Sequence, residues 1–200
     1  MQISKGLVRA GLGLGLFLTT ALASAQASAQ WTLDGANSQL SFVTVKAEHV
    51  AEVHSFTRLD GGIDAAGSAE ISVDLTSVET GIAIRNERMQ SLLFETGLYP
   101  RARVSADVDS AALASLGLGD TTSLELALSV SAHGAELELL VPVQVTRTVS
   151  GLAVASLAPV IVTAESLELA AGIERLREIA GLPSISRAVP VTFALQFVAQ

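Results

Sequence analysis

Apolar and polar residues alternate with a period of two over most of the chain beyond residue 30. The clearest segments are residues 69–75, 124–130, 137–145 and 191–197. Successive side chains of a β-strand point to opposite faces, so each segment predicts a strand with one apolar and one polar face. Further strands are predicted at 31–33, 39–47, 54–64, 102–108 and 152–162. Eight or nine strands of antiparallel type favour a closed or nearly closed β-barrel.

The segments between these strands predict one tight turn and a few short helices. Residues 132–135 form a compact turn candidate, because Gly134 can adopt a positive φ, and they would join two strands as a hairpin. Residues 85–94 and 110–116 have the composition of short helical connectors, and residues 170–180 carry an apolar stripe at helical spacing. The sequence therefore predicts an all-β domain with one or two short helices.

The N-terminal residues have the order of charge and hydropathy that is typical of a secretory signal peptide. Lys5 and Arg9 precede an apolar run over residues 10–22, and two Ala-Ser-Ala triplets follow, ending at Ala25 and Ala29. Each triplet offers a small-x-small cleavage site. We expect cleavage after Ala29, with Ala25 as the alternative. A retained membrane anchor is disfavoured, because a spanning helix needs about 20 apolar residues.

A signal peptide over residues 1–29 leaves residues 30–200 as one domain with a substantial core. Without the two leader cations the formal charge moves from -8 to -10, which argues against nucleic acid as a partner and against electrostatic adhesion to anionic membranes. The chain contains no cysteine, which excludes disulfides, thiol catalysis and cysteine metal sites.

The sequence carries no pattern that predicts catalysis. The G-x-S-x-G and S-x-x-K motifs of serine hydrolases are absent beyond the leader. His49 and His54 are five residues apart, which places them on opposite faces of one strand, so no metal site is predicted. We expect His133 to bond to nearby backbone in its turn. Three carboxylates on polar strand faces are expected to be solvated: Glu125, Glu136 and Glu138.

Several short motifs follow one another in a fixed order along the chain. W-T-L-D at 31–34 and N-S-Q-L-S-F at 37–42 come first. T-G at 80–81, R-N-E-R-M at 85–89, L-L-F at 92–94 and Y-P at 99–100 come next, and H-G at 133–134 follows. In order and spacing, these motifs resemble those of YceI-like proteins over nearly the whole chain beyond the leader. Asn86 stands where that family's motif has aspartate, which removes the carboxylate at that point.

The resemblance implies an extended lipocalin-like antiparallel β-barrel of about eight strands, exported to the bacterial periplasm. It also implies an elongated apolar tunnel for a polyisoprenoid or similar long-chain amphiphile, such as an isoprenoid quinone, a polyprenyl phosphate or a fatty acid derivative. Proteins of this family are not recognised enzymes, so we expect transport, storage or sequestration of the lipid. No cofactor is required beyond a possible bound isoprenoid lipid or quinone.

Composition alone leaves open whether the barrel interior is a lumen or a packed core, because Leu, Val, Ile and Ala serve both; the resemblance favours a lumen. Residues proposed to line it are Phe42, Phe56, Ile71, Val73, Met89, Leu92, Phe94, Leu126, Leu128, Leu139, Val141 and Phe193. Residues proposed to hold the head group are Arg85, Arg88, Tyr99 and Arg101. An arginine fork suits a phosphate, although Arg85 has the alternative of bonding to loop carbonyls.

The expected partner is therefore a long-chain lipid, with transient contact to a membrane or a membrane protein, and the protein is expected to be a monomer or a homodimer. Two other functions stay open. A packed barrel would indicate a protein-interaction module that docks a partner on its outer surface. A nucleophile or metal in the cavity would indicate a hydrolase acting on a bound lipid or its ester.

Overall fold

A computed structural model describes residues 29–200, so the predicted signal peptide lies outside the described residues apart from Ala29. The strands are β1 (Ala29–Leu33), β2 (Gln39–Lys46), β3 (Val50–Phe56), β4 (Leu59–Asp64), β5 (Ser68–Asp74), β6 (Val78–Glu79), β7 (Arg101–Asp107), β8 (Thr121–Ala132), β9 (Ala135–Arg147), β10 (Gly151–Ser156), β11 (Val160–Thr163) and β12 (Ala188–Ala199). The helices are α1 (Ala83–Arg88), which continues into a π-helical turn (Met89–Leu93), α2 (Ser110–Ala114) and α3 (Ala170–Ile179).

The strands form one closed antiparallel barrel. The hydrogen-bonded order runs β1-β4-β5-β7-β8-β9-β10-β12, and β1 also pairs with β12, which closes the ring at eight strands. The remaining segments extend these strands: β2 lies on the same edge of β12 as β1, β11 lies on the same edge as β10, and β3 and β6 continue the wall. The predicted all-β barrel of about eight strands is confirmed.

Local side-chain chemistry explains where the barrel strands are interrupted. Between β1 and β2, Asp34 accepts hydrogen bonds from the backbone nitrogen of Asn37 at 3.2 Å and from its side chain at 2.8 Å. A Cβ at Gly35 would overlap the Leu59 carbonyl oxygen, so this turn requires glycine. The Ser38 hydroxyl donates to the Asp34 carbonyl at 2.7 Å. The end of the first motif and the start of the second therefore build a turn.

Two predicted strands are each divided in the structure. The strand expected over residues 54–64 is β3, which begins earlier at Val50, followed by β4. The backbone nitrogens of Thr57 and Arg58 donate to Ser77 at 3.1 and 3.0 Å and so leave the sheet ladder. The strand expected over residues 152–162 ends at Ser156 and resumes at Val160. The period-two pattern crosses both breaks and did not reveal them.

The hairpin between β8 and β9 was predicted correctly. Ala132 lies opposite Ala135, so His133 and Gly134 form a two-residue loop. Both adopt positive φ, 52° and 82°, which is the geometry that matches the twist of the flanking strands.

Because neighbouring strands run antiparallel, successive connections lie at alternate ends of the barrel. One end, the α1/α3 end, carries α1, the π-helical turn, α3 and two hairpins. Gly172 of α3 packs directly on the π-helical turn, where its Cα hydrogen faces the Leu92 carbonyl. The other end, the α2 end, carries α2, whose Leu113 is buried. Within residues 29–200, no helix is both long and apolar enough to span a membrane.

Candidate ligand-binding cavity

The barrel encloses an apolar cavity of about 540 Å³, within the range typical of small-molecule sites. Leu124, Leu126 and Leu128 point inward from β8 and line it, yet each keeps part of its surface exposed, because the side chains of facing walls do not meet. In a filled core these residues would be buried against one another. The interior is therefore a lumen.

The cavity opens at the α1/α3 end. Ile82 and Ile84, at the start of α1, line it and are 48% and 53% exposed. At the α2 end, the lining side chains of Leu113 and Phe197 are 4% and 3% exposed. The cavity thus has a mouth beside α1 and a closed floor above α2.

Most residues predicted to line a tunnel do line this cavity. The ten that do are Phe42, Phe56, Ile71, Val73, Met89, Phe94, Leu126, Leu128, Leu139 and Phe193. Leu92 and Val141 are the exceptions. The main chain of Leu92 faces Gly172 of α3, and Val141 is 1% exposed and does not line the cavity. Strand alternation places Val141 on the inner face but does not reveal that it is covered.

Aromatic rings form one wall of the cavity. The centroids of Phe42 and Phe56 are 5.4 Å apart, and those of Phe56 and Phe94 are 5.7 Å apart. His54 meets the edge of Phe42 at 5.3 Å. Because these rings come from β2, β3 and the end of the π-helical turn, the wall extends from the sheet to the mouth.

The inner face of the β2–β3 hairpin changes from apolar to polar toward the mouth. On β2 the inward residues are Leu40, Phe42, Thr44 and Lys46, in order. Across the hairpin, Phe56, His54 and Glu52 lie opposite the first three of them. The cavity therefore has hydrocarbon in its depth and hydrogen-bonding groups near its opening, which suits an amphiphile that enters tail first.

Two cations at the mouth share one carboxylate. Arg85 donates from Nη1 to Glu52 Oε2 at 2.8 Å, and Lys46 Nζ lies 2.6 Å from the same oxygen. The hydrogen bond from Lys46, helped by the charge of Arg85, holds the pKa of Glu52 below its ordinary value despite partial burial. Arg85 also donates from Nη2 to the Thr80 carbonyl at 2.6 Å. Arg85 thus lines the cavity and also makes the loop-carbonyl bond considered as its alternative.

His54 lies one step deeper and is 3% exposed. Its Nε2 is 2.9 Å from Thr44 Oγ1, while its Nδ1 is buried without a hydrogen-bond partner within residues 29–200. Burial, followed by the charge of Arg85, lowers the pKa of His54 from its ordinary 6.5, so the ring is neutral at neutral pH. From the sequence, His54 was considered only as a metal ligand, and its place in the cavity was missed. The inward alternation on β2 and β3 was the available signal.

The other proposed head-group residues lie in different parts of the structure. Arg88 lines the cavity. Tyr99 instead packs on His133, with ring centroids 4.7 Å apart, and Arg101 donates to Ser72 Oγ on the outer face at 3.2 Å. Neither of them lines the cavity.

Asn86 has a structural role. Its Oδ1 accepts from the backbone nitrogen of Thr80 at 3.0 Å and from the Thr80 hydroxyl at 2.6 Å. An amide oxygen performs this task as a carboxylate would. The departure from the family motif therefore leaves the turn before α1 intact, and Glu52 supplies the carboxylate that pairs with Arg85.

His133 does not bond to backbone as expected. Its Nε2 lies 3.0 Å from Glu95 Oε2, and Arg175 of α3 lies 3.6 Å from the other oxygen of Glu95. The prediction failed because Glu95 is distant in sequence and reaches the hairpin only in the folded barrel. Glu125, Glu136 and Glu138 are exposed, as expected. Within residues 29–200, no three metal-binding side chains come together.

A family model described as a YceI-like domain matches residues 31–197. A polyisoprenoid binding domain from Saccharophagus degradans, implicated in plant cell wall breakdown, is 39% identical in sequence; the alignment covers 86% of this chain and 100% of that chain, with a TM-score of 0.85. No curated protein matches the chain.

Two more distant solved structures share the fold. BcnA from Burkholderia cenocepacia is 17% identical, with 82% of this chain and 98% of that chain covered and a TM-score of 0.61. A YceI protein from Campylobacter jejuni is 10% identical, with coverage of 74% and 84% and a TM-score of 0.51. With its barrel, its motifs and the match over residues 31–197, the chain belongs to the YceI-like family.

Proposed function

We propose that this protein is an exported lipid-binding protein that holds a polyisoprenoid or similar long-chain amphiphile in its barrel cavity, without catalysing a reaction. The observation that carries the proposal is the open lumen, whose inward leucines and phenylalanines leave about 540 Å³ unfilled. The neighbour from Saccharophagus degradans is described as a polyisoprenoid binding domain, which supports the same class of ligand.

The apolar lining can supply the affinity. Transfer of apolar surface from water contributes roughly 25 cal/mol per Å². Burial of about 300 Å² of a hydrocarbon tail would therefore contribute about 7.5 kcal/mol, which offsets a large part of the cost of association. No charged contact to the tail is needed, so the groups at the mouth are free to select the head.

The lumen also favours this function over the interaction module. A protein-docking barrel would be expected to fill its interior with its own side chains, because an empty apolar cavity destabilises a fold. Leu124, Leu126 and Leu128 instead remain partly exposed to the lumen. This favours storage, transport or sequestration of a lipid.

Native mass spectrometry of the protein purified under mild conditions tests the binding. We expect an adduct of long-chain lipid mass, identified by solvent extraction, and uptake of an added polyprenol by the stripped protein. A protein that emerges free of lipid and takes up no polyprenol, fatty acid or quinone would refute the proposal.

The proposed export is tested separately. Expression of the full chain in a Gram-negative host, followed by fractionation and N-terminal sequencing, should recover periplasmic protein that begins at Gln30. Replacement of Ala29 by Leu should block this cleavage, and the same change at Ala25 serves as the control. Recovery of uncleaved wild-type protein in the cytoplasm would contradict export.

A further inference from the structure

Four aliphatic side chains are exposed around the mouth of the cavity. They come from the start of β3, the start of α1 and the end of α3, and about half of the surface of each is exposed: Val50, Ile82, Ile84 and Ile179. Single exposed aliphatic residues are common on protein surfaces, whereas a group of them around one opening indicates an interaction site. We call these four residues the rim cluster.

Hydrogen bonds hold the three elements of the rim cluster side by side. The backbone nitrogen of Ala47, in the β2–β3 hairpin, donates to the Ser184 carbonyl at 3.0 Å, which fixes the hairpin beside the segment that follows α3. Arg85 of α1 donates to Glu52 of β3 at 2.8 Å, which fixes α1 beside the same hairpin. The rim cluster therefore belongs to one assembled end of the barrel.

Every member of the rim cluster lies at the opening. Ile82 and Ile84 line the cavity themselves. Val50 lies opposite the lining residue Lys46, and the residue after Ile179 also lines the cavity. Apolar side chains thus extend from the opening onto the outer surface at its edge. A lipid that enters or leaves the cavity passes them.

The charges around the rim cluster disfavour an anionic surface as its partner. Lys46 and Arg85 share the carboxylate of Glu52, and Arg88 adds one further cation to the cavity lining. Two carboxylates beside the rim cluster have mostly exposed side chains: Glu48 and Glu178. The whole chain carries a formal charge of -8. Attraction to a membrane must therefore come from apolar area, which suits a zwitterionic bilayer.

We propose that the rim cluster docks the mouth of the cavity on a zwitterionic lipid bilayer, so that a lipid passes between bilayer and cavity with little exposure to water. This inference rests on the lipid-binding function proposed above. A bilayer is the partner that fits, because water excludes a long-chain amphiphile and the bilayer is where its hydrocarbon resides. The exposed isoleucines and valine then enter the interface while the cavity faces the lipid.

Co-flotation with phosphatidylcholine vesicles tests the docking by measuring the partition coefficient of the purified protein. A side chain that moves about 60 Å² of apolar surface out of water contributes about a tenfold factor. Val50→Ser and Ile179→Ser should therefore each lower the partition coefficient by about tenfold. Ile179→Leu, which keeps the apolar surface, should bind as the wild type does. Anionic phosphatidylglycerol added to the vesicles should not strengthen binding.

Two controls accompany these variants. Leu118→Ser and Val149→Ser remove more exposed aliphatic residues at the α2 end and should leave the partition coefficient unchanged. Neither Val50 nor Ile179 lines the cavity, so their serine variants should bind detergent-dispersed ubiquinone with the wild-type dissociation constant. That result also establishes that the variants are folded.

The outcomes separate this inference from the function on which it rests. Wild-type protein that takes up dispersed ubiquinone but does not float with the vesicles would overturn the docking and leave lipid binding intact. Equal losses in the α2-end variants, or binding that requires phosphatidylglycerol, would also overturn it. Flotation only with native membranes that retain their proteins would overturn it in favour of a protein receptor. Failure to take up ubiquinone, polyprenol or fatty acid would overturn both proposals.

Discussion

A tryptophan at position 126 should obstruct the lumen without damaging the barrel. Leu126 lines the cavity from β8, and Val141 lies directly opposite it on β9 with 1% of its surface exposed. An indole at position 126 can extend into unfilled space, so we expect the free energy of unfolding to change by less than about 1 kcal/mol. If the indole displaces about 100 Å² of tail contact, binding weakens by about 2.5 kcal/mol, or roughly 70-fold.

Val141→Trp is the matched comparison, since it makes a similar change at a covered position in the same layer. Overpacking there should cost about 1–3 kcal/mol of stability. The free energy of unfolding is measured by guanidinium titration, and the lipid affinity is measured separately by titration with a ubiquinone of long tail. If Leu126→Trp binds the lipid as tightly as the wild type, the reasoning from an open lumen fails. Loss of stability in step with loss of binding would likewise indicate a packed core.

Three further changes test the structure. Gly172→Ala should lower the free energy of unfolding by about 1–3 kcal/mol, because a Cβ would lie 2.7 Å from a carbonyl oxygen of the π-helical turn. Gly97→Ala is the control and should be near neutral in the same denaturant titration, because the space around Gly97 is open. Asn86→Ala should cost about 1–3 kcal/mol by leaving the Thr80 donors without their acceptor, and Asn86→Asp should restore most of it; equal stability of both variants would contradict the role given to Asn86. Folding lowers the pKa of His54 from 6.5, so the unfolded chain binds this proton at a higher pH than the folded chain does. The free energy of unfolding should therefore fall as the pH drops below 6.5. In pH-dependent unfolding, His54→Leu should lack the part of this fall that comes from His54.

Much of the fold could be predicted from the sequence because its signals are local. The alternation at residues 124–130 and 137–145 depends only on which way successive side chains point, and the structure places both on adjacent strands. The turn at His133 and Gly134 follows from the conformations that a two-residue hairpin loop requires. The strand breaks near Thr57 and Ser156 were missed. At Thr57, the backbone leaves the sheet because it hydrogen-bonds to Ser77, which is distant in sequence.

The site was only partly predictable. Ten of the twelve proposed lining residues follow from strand faces together with the family motifs. Tyr99 and Arg101 do not line the cavity, because a motif gives proximity in sequence, while their side chains contact His133 and Ser72. His54 was missed because its partners, Thr44 and Arg85, come from another strand and from α1.

By itself, the sequence determined which residues form strands, which faces are apolar and how the main hairpin turns, since these depend on neighbours within a few positions. Only the tertiary structure decided that the interior is open, because strand number and register set the distance between facing walls, and no alternation pattern encodes that distance. It also decided that the polar residues of β2, β3 and α1 meet at one mouth, which required the closed barrel to bring them together.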